Sequence, residues 1–494
     1  MQRPAPVRSP FTIPLVVIVL FMAACVPLPA QPKAAAPLAV IGEAPARISL
    51  QGTTIDMTTR TAGAAPTVAT WQYINGAWSL NNKLDARLLR IFDARAGGRH
   101  EPAALPATPG ALLADGVSVT HEIVLATGSI VGSRFVQTTM NDGVPTGLVD
   151  EITYEDLGTG VVTGSAALIK PGMTGTVRTI LAEAISPRRT TAPSTATPAP
   201  APAPLSADDA GLLTAVAFTT QGLLSVTLHR DPGTGAMLPH PVTVTLNADA
   251  TADVISPAGE AFRTAVITGA PFNAPQPDRG GAAHINCDLV ACAALTYDDG
   301  PNAQTTRLLA ILEKHHVFAT FFQQGGYVRA NPTVAKAVAA AGHTIANHTM
   351  SHPYLTKLPP AGIANEVQGA RYAIEKATGV VPAYVRPPYG ATNTSVAASV
   401  GLPQILWDVD SMDWQSKSKA AFLPRIMGLV KPGSIILLHD VHASTVDGQS
   451  ELITQLKGKG FYLVTLPQLF GGIDLKPGAS YKCRGTAPGC VAGR

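Results

Sequence analysis

From about Val290 onward the chain alternates short apolar runs with helical stretches, and no other feature of its 494 residues constrains the fold as tightly. The apolar runs lie at 292–297, 317–322, 343–347, 383–386, 404–408, 434–439 and 461–465, and helical stretches fall at 305–314, 332–341, 363–378 and 420–430. Such alternation implies parallel strands joined by crossover helices, as an open doubly wound sheet or as a barrel. In both, chemistry gathers at the carboxyl ends of the strands. The residues that follow each apolar run are therefore the first candidates for function.

Five clusters sit at those ends. Thr296-Tyr297-Asp298-Asp299-Gly300 places two adjacent acids where a strand turns, so that one can bind a cation while the other acts as a base. Alone, Asp-Gly is ordinary turn chemistry. His348-Thr349-Met350-Ser351-His352 spaces two imidazoles at i and i+4, one face of a helical turn capped by Asn347. Thr349 stands where a zinc protease of the HExxH type needs its glutamate, which excludes that chemistry. Val385-Arg386-Pro387-Pro388-Tyr389-Gly390 pairs an arginine able to brace a carboxylate bidentately with a rigid turn whose first free amide is that of Tyr389. Asp408-Val409-Asp410-Ser411-Met412-Asp413-Trp414 adds a third acidic strand end with an aromatic wall, and Leu437-Leu438-His439-Asp440 delivers a histidine at the mouth of a buried strand. Singly, each has a bland reading as a turn, a cap or a surface residue. Jointly they recur on what should be one face.

In order, TYDDG, HTMSH, RPPYG, DSMDW and LLHD resemble the five motifs of the carbohydrate esterase family 4 polysaccharide deacetylases, the NodB-homology family. The resemblance covers 287–470, roughly two fifths of the chain, and departs at Tyr297, where phenylalanine is commoner. It implies an α/β fold, the distorted (β/α) barrel of that family, over 285–472, with 473–494 as a tail. It implies one divalent metal on Asp299, His348 and His352, zinc first, with cobalt and manganese as the other candidates. Asp298 is then the base, kept in place by Arg386. The Tyr389 amide stabilises the oxyanion, and His439 acts as the acid, paired with Asp413. Trp414 and Leu437 line a slot for the acetyl methyl.

The N-terminal half carries no such clusters. Residues 1–24 combine Arg3 and Arg8 with an apolar run broken by Pro14, which reads as an export signal. Met22-Ala23-Ala24-Cys25 resembles a lipobox, implying a lipidated Cys25 and a membrane anchor, with 25–47 as a tether. Residues 48–273 are rich in Thr, Val, Gly and Ala with period-two stretches at 117–124 and 224–228, the pattern of a strand-rich accessory domain. A Pro/Ala/Thr run at 186–206 interrupts it as a loop or linker. His121, His229 and His240 are expected as strand or surface residues, not ligands.

Beyond Cys25 four cysteines remain in two close pairs, Cys287 with Cys292 and Cys483 with Cys490. Export favours disulfides, and four cysteines permit three connectivities. A net charge of +3 and only 14% charged residues argue against a nucleic-acid partner. An exported, tethered enzyme of this family is best placed to act on N-acetylated cell-wall glycan, peptidoglycan N-acetylglucosamine first. The other readings are a chitooligosaccharide deacetylase, an acetylxylan O-esterase, or a catalytically silent wall-binding lipoprotein.

Overall fold

The computed structural model describes residues 37–43, 45, 47, 48, 50, 52, 54–59, 65–106, 113–186, 211–275 and 283–493. The export signal at 1–24, Cys25, 26–36 of the tether and the 186–206 run past Ser186 lie outside them. Among the described residues no helix is long and apolar enough to cross a membrane.

The first apolar run becomes the strand Cys292–Asp298, buried along its whole length. Parallel neighbours lie on both sides: Ser434–His439 on one, and Thr320–Gln323 with Tyr462–Val464 on the other. Thr344–Asn347 extends the ladder beyond Thr320–Gln323. Single parallel bridges at Val385 then reach Asn347 and Gln404, and the short strand Val409–Asp410 pairs with Ser434–His439. The sheet is thus a half-barrel whose remaining flank is held by isolated bridges. The expected strand at 383–386 shrinks to Val385, and 404–408 becomes the two-residue strand Gln404–Ile405. Pro382, Pro387, Pro388 and Pro403 border these segments, and prolines cannot donate to a ladder.

Strand alternation sorts the side chains into two layers. Leu295, Tyr297, Phe321, Ile345, Ile436 and Leu438 point outward into a core with Leu308, Leu312, Ile374, Phe422 and Leu452 from the surrounding helices. Each such burial stabilises by roughly 1.5–3 kcal/mol. Local sequence starts these helices where they are needed. Asn302 and Thr305 form a capping box for Ala303–Lys314, and Pro360 opens Pro360–Thr378, which ends on the left-handed Gly379.

The other face looks into the half-barrel. Cys292, Ala294, Phe322, Ala346, Ile405 and Ile435 form its floor and share a core with Ile55, Trp71, Leu88, Phe92, Val119 and Phe135. Those residues come from a six-stranded sheet running from Thr54–Thr59 to Val162–Gly164 and from the helix Trp78–Ala96. Hydrogen bonds in both directions between the Tyr462 hydroxyl and the Asp56 main chain tie the two parts. The apolar N-terminal half therefore covers the floor and leaves the opposite, polar end open.

A second sheet, in the order Ala39–Gly42, Met237–Leu246, Leu224–Arg230, Val216–Phe218, completes the N-terminal half. Residues 39–42 fall inside the expected tether but form an edge strand, with Ala39 buried in the core beneath. At the other terminus, the expected tail is built into the sheet: Ser480–Tyr481 pairs with Gln404–Ile405, and Cys483 pairs with Ser434. The disulfides join Cys287 to Cys292 and Cys483 to Cys490.

Candidate active site

The inward column of each strand ends in a polar residue. Cys292, Ala294, Thr296 and Asp298 alternate up one strand, and Ile435, Leu437 and His439 up its neighbour, with Asp298 and His439 in register. Asp298 is 3% exposed. Arg386 is fully buried and donates from Nη1 to Asp298 Oδ1 at 2.7 Å and to Thr296 Oγ1 at 2.9 Å. Its Nε and Nη2 go to the main-chain oxygens of Ile405 and Leu406. The brace is not bidentate, because the guanidinium spends its other donors on the Ile405 and Leu406 oxygens of the short strand bordered by Pro403. Phe322 lies under the guanidinium at 4.0 Å.

Asp299 turns away in a left-handed conformation, φ 73°, and its Oδ1 lies 3.4 Å from His348 Nε2 and 3.3 Å from His352 Nε2. The three ligand atoms lie within 4.8 Å of one another. One carboxylate and two imidazoles at that spacing fit a divalent cation that keeps open positions. The expected helical turn at 348–352 does not form. Thr349 and His352 both take positive φ, and the loop is pinned by Asn347 Oδ1 on the Thr349 amide and by Glu366 on the amides of Met350 and Ser351. The imidazoles converge through this loop, not along a helix face.

The electrostatics suit a cation. Burial works to raise Asp299, but the His348 hydrogen bond and the charges of His348, His439 and His352 hold it well below the usual carboxylate range. Burial works to lower His348, and the Asp298 and Asp299 carboxylates raise it on balance. Burial, aided by the charge of His348, lowers His352. The two acids thus draw positive charge to the same point.

At the far wall, Asp413 is fully buried and touches His439 twice, while Ser411, Thr445 and the Trp414 amide also donate to it. Burial pulls His439 down, but Asp413, followed by Asp298 and Asp299, lifts it to about 9. Tyr389 takes φ 61° inside the turn Pro388–Gly390, whose own hydrogen bonds run from the amides of Gly390 and Ala391 and leave the Tyr389 amide out. Trp414 is 46% exposed and Leu437 only 3%, one pleat below His439.

Two residues with roles here escaped the sequence reading, and a third, Asp440, was read there only as the last letter of the LLHD motif. Thr445 supplies a hydroxyl to Asp413 from a helix with no motif of its own. Tyr354 stacks on Tyr389, and an exposed aromatic two residues past His352 was its only signal. Asp440 lies fully buried under Gly300, and burial pushes its carboxyl up to about 7 despite a hydrogen bond from Thr305. In the N-terminal half His121, His229 and His240 are strand residues, and His229 bonds Asp150.

Residues 287–405 match the profile of the family described as polysaccharide deacetylase. That span holds Asp298, Asp299, His348, His352, Arg386 and Tyr389, while Asp413 and His439 lie beyond it. A chitooligosaccharide deacetylase of a Bradyrhizobium species is 37% identical over 194 residues, 35% of this chain and 89% of the relative. The chain belongs to the polysaccharide deacetylase family. The peptidoglycan-N-acetylglucosamine deacetylase PgdA of Listeria monocytogenes is 37% identical over 179 residues, 36% of this chain. The peptidoglycan-N-acetylmuramic acid deacetylase PdaC of Bacillus subtilis is 37% identical over 177 residues, again 36% of this chain. This family member spans 38% of the length of each of those two relatives.

Proposed function

We propose that this protein removes N-acetyl groups from an amino-sugar polymer, with peptidoglycan N-acetylglucosamine as the leading substrate, and releases acetate. The observation that carries the reading is the convergence of Asp298, Asp299, His348, His352 and His439 at one mouth, with Arg386 and Asp413 behind them. The names of the relatives, two of them peptidoglycan deacetylases, support the substrate class.

A divalent cation held by Asp299, His348 and His352, zinc first and cobalt or manganese next, would supply Lewis-acid polarisation of the acetamide and acidify a water. Asp298, held in place by the buried Arg386, takes the proton from that attacking water. The Tyr389 amide donates to the oxygen on which charge develops. His439, charged at neutral pH through Asp413, gives its proton to the departing amine nitrogen. Leu437 and Trp414 form the apolar slot that receives the acetyl methyl. Gathering the distorted barrel over 285–472 and a strand-rich accessory domain over 48–273 on one chain, with export and lipidation at Cys25, would hold the mouth toward the wall just outside the membrane.

A second reading, deacetylation of chitooligosaccharides, is favoured by the Bradyrhizobium relative, 89% of which this chain covers. Acetate and amine release from purified peptidoglycan, chitin oligomers and acetylated xylan, with and without chelator, tests both. Metal-dependent release from peptidoglycan above the other two is the expected result. Preference for xylan would overturn the amide reading.

A further inference from the structure

The two imidazoles of the triad are not held alike. His348 is 2% exposed, and its Nδ1 lies 2.8 Å from the main-chain oxygen of Arg386, a partner built into the barrel. His352 is partly exposed, stands at φ 63°, and its Nδ1 lies 3.2 Å from the Tyr389 hydroxyl. For Nε2 to face a cation, Nδ1 must carry the ring proton. That N–H then donates to the phenolic oxygen, and the phenol's own proton points elsewhere.

Tyr389 is clamped in turn. Its ring stacks on Tyr354 with centroids 4.0 Å apart and planes 14° apart, and it meets the His352 ring edge-on at 4.7 Å. Lys357 Nζ sits 4.7 Å from the centre of the Tyr354 ring. The main chain of Tyr389 is in the left-handed region, which a tyrosine rarely adopts without outside restraint. Contacts of the side chain are therefore part of what holds the main chain there.

We propose that the Tyr389 side chain is a positioning group that couples the two halves of the centre. Its hydroxyl orients His352 toward the cation, and the same contact, backed by the Tyr354 ring, holds the Tyr389 amide where it meets the oxyanion. The inference rests on the deacetylase reading above and adds to it a link between metal affinity and oxyanion stabilisation.

The test is zinc affinity of the metal-free protein, measured by competition with a chromophoric chelator, alongside kcat and KM. Tyr389→Phe keeps the ring stack and removes the acceptor, so zinc affinity should fall by about 10- to 100-fold, with kcat lowered more than KM. Tyr354→Leu touches neither His352 nor the amide and should give a smaller loss of the same kind. Circular dichroism confirms that each variant is folded, and Tyr354→Leu carries the test alone if Tyr389→Phe does not fold. Wild-type protein that takes up no zinc would overturn the metal reading itself. Wild-type binding with unchanged affinity in folded Tyr389→Phe, or in Tyr354→Leu should it stand alone, would overturn the coupling while leaving that reading intact.

Discussion

Asp413 grips His439 by main chain and side chain together: Oδ2 accepts from the His439 amide and Oδ1 lies against its Nδ1, both at 2.8 Å. The grip leaves Nε2 as the free edge of the ring and sets its charge. Because the His439 pKa in the fold stands at about 9, above the ordinary 6.5, the ring is charged through neutrality and loses its proton as pH rises through about 9. Activity that needs this acid should fall along the same limb.

Asp413→Asn removes the carboxylate that opposes burial. The falling limb of kcat/KM against pH should then shift acid-ward from about 9, with activity at neutral pH reduced. The stability that the pair contributes is present below 6.5 and lost as pH rises through about 9, so the variant should also lose stability below that range. A limb that stays in place would remove Asp413 from its role.

Arg386→Ala should destabilise by about 3–5 kcal/mol, since it leaves Asp298 buried without its guanidinium partner and strips donors from the Ile405 and Leu406 oxygens. Arg386→Lys should fail to rescue, because one ammonium cannot reach the four acceptors that the fork spans. Urea unfolding monitored by circular dichroism gives both values, and a loss under 1 kcal/mol in Arg386→Ala would contradict the account.

Metal binding should be visible as stability. At 100 times its dissociation constant zinc should add about 2.7 kcal/mol, raising Tm. Binding needs neutral imidazoles, and His348 holds its proton more tightly than a free histidine, so the gain should fade on acidification. His348→Ala should abolish it. Calorimetry with and without zinc, near neutral and at acid pH, decides.

Gly300→Ala should also destabilise, by about 1–3 kcal/mol. A Cβ at Gly300 would meet the two Asp440 carboxylate oxygens at 2.5 and 2.6 Å, and Asp440 is fully buried with Oδ2 held by the Thr305 hydroxyl. Denaturant midpoints of the two proteins should differ accordingly. Equal midpoints would mean the turn can shift.

Much of the site was legible because the strand period is two. Once Asp298, His348 and His439 stood at the ends of apolar runs, the alternation of Cys292, Ala294 and Thr296, or of Ile435 and Leu437, placed them on one inner face. The local backbone was not legible. A helical turn at 348–352 satisfied the spacing of the imidazoles, yet Asn347 and Glu366 offered the amides better partners in a loop, and side-chain competition of that kind is invisible to periodicity. Prolines at 382, 387, 388 and 403 were all in view, but their cost to the ladder shows only once Val385 must bridge two strands. Thr445 and Tyr354 belong to segments outside any motif, and only tertiary contact brings them to Asp413 and Tyr389.

The central claim is tested most directly by acetate release from N-acetylated peptidoglycan, comparing wild-type protein with Asp298→Asn under saturating zinc. The wild type should release acetate and free amine in equal amounts and stop when chelated. The variant should bind zinc through Asp299, His348 and His352 as before, yet turn over at least about 10²-fold more slowly. Release by the folded, zinc-loaded variant at the wild-type rate would contradict the account.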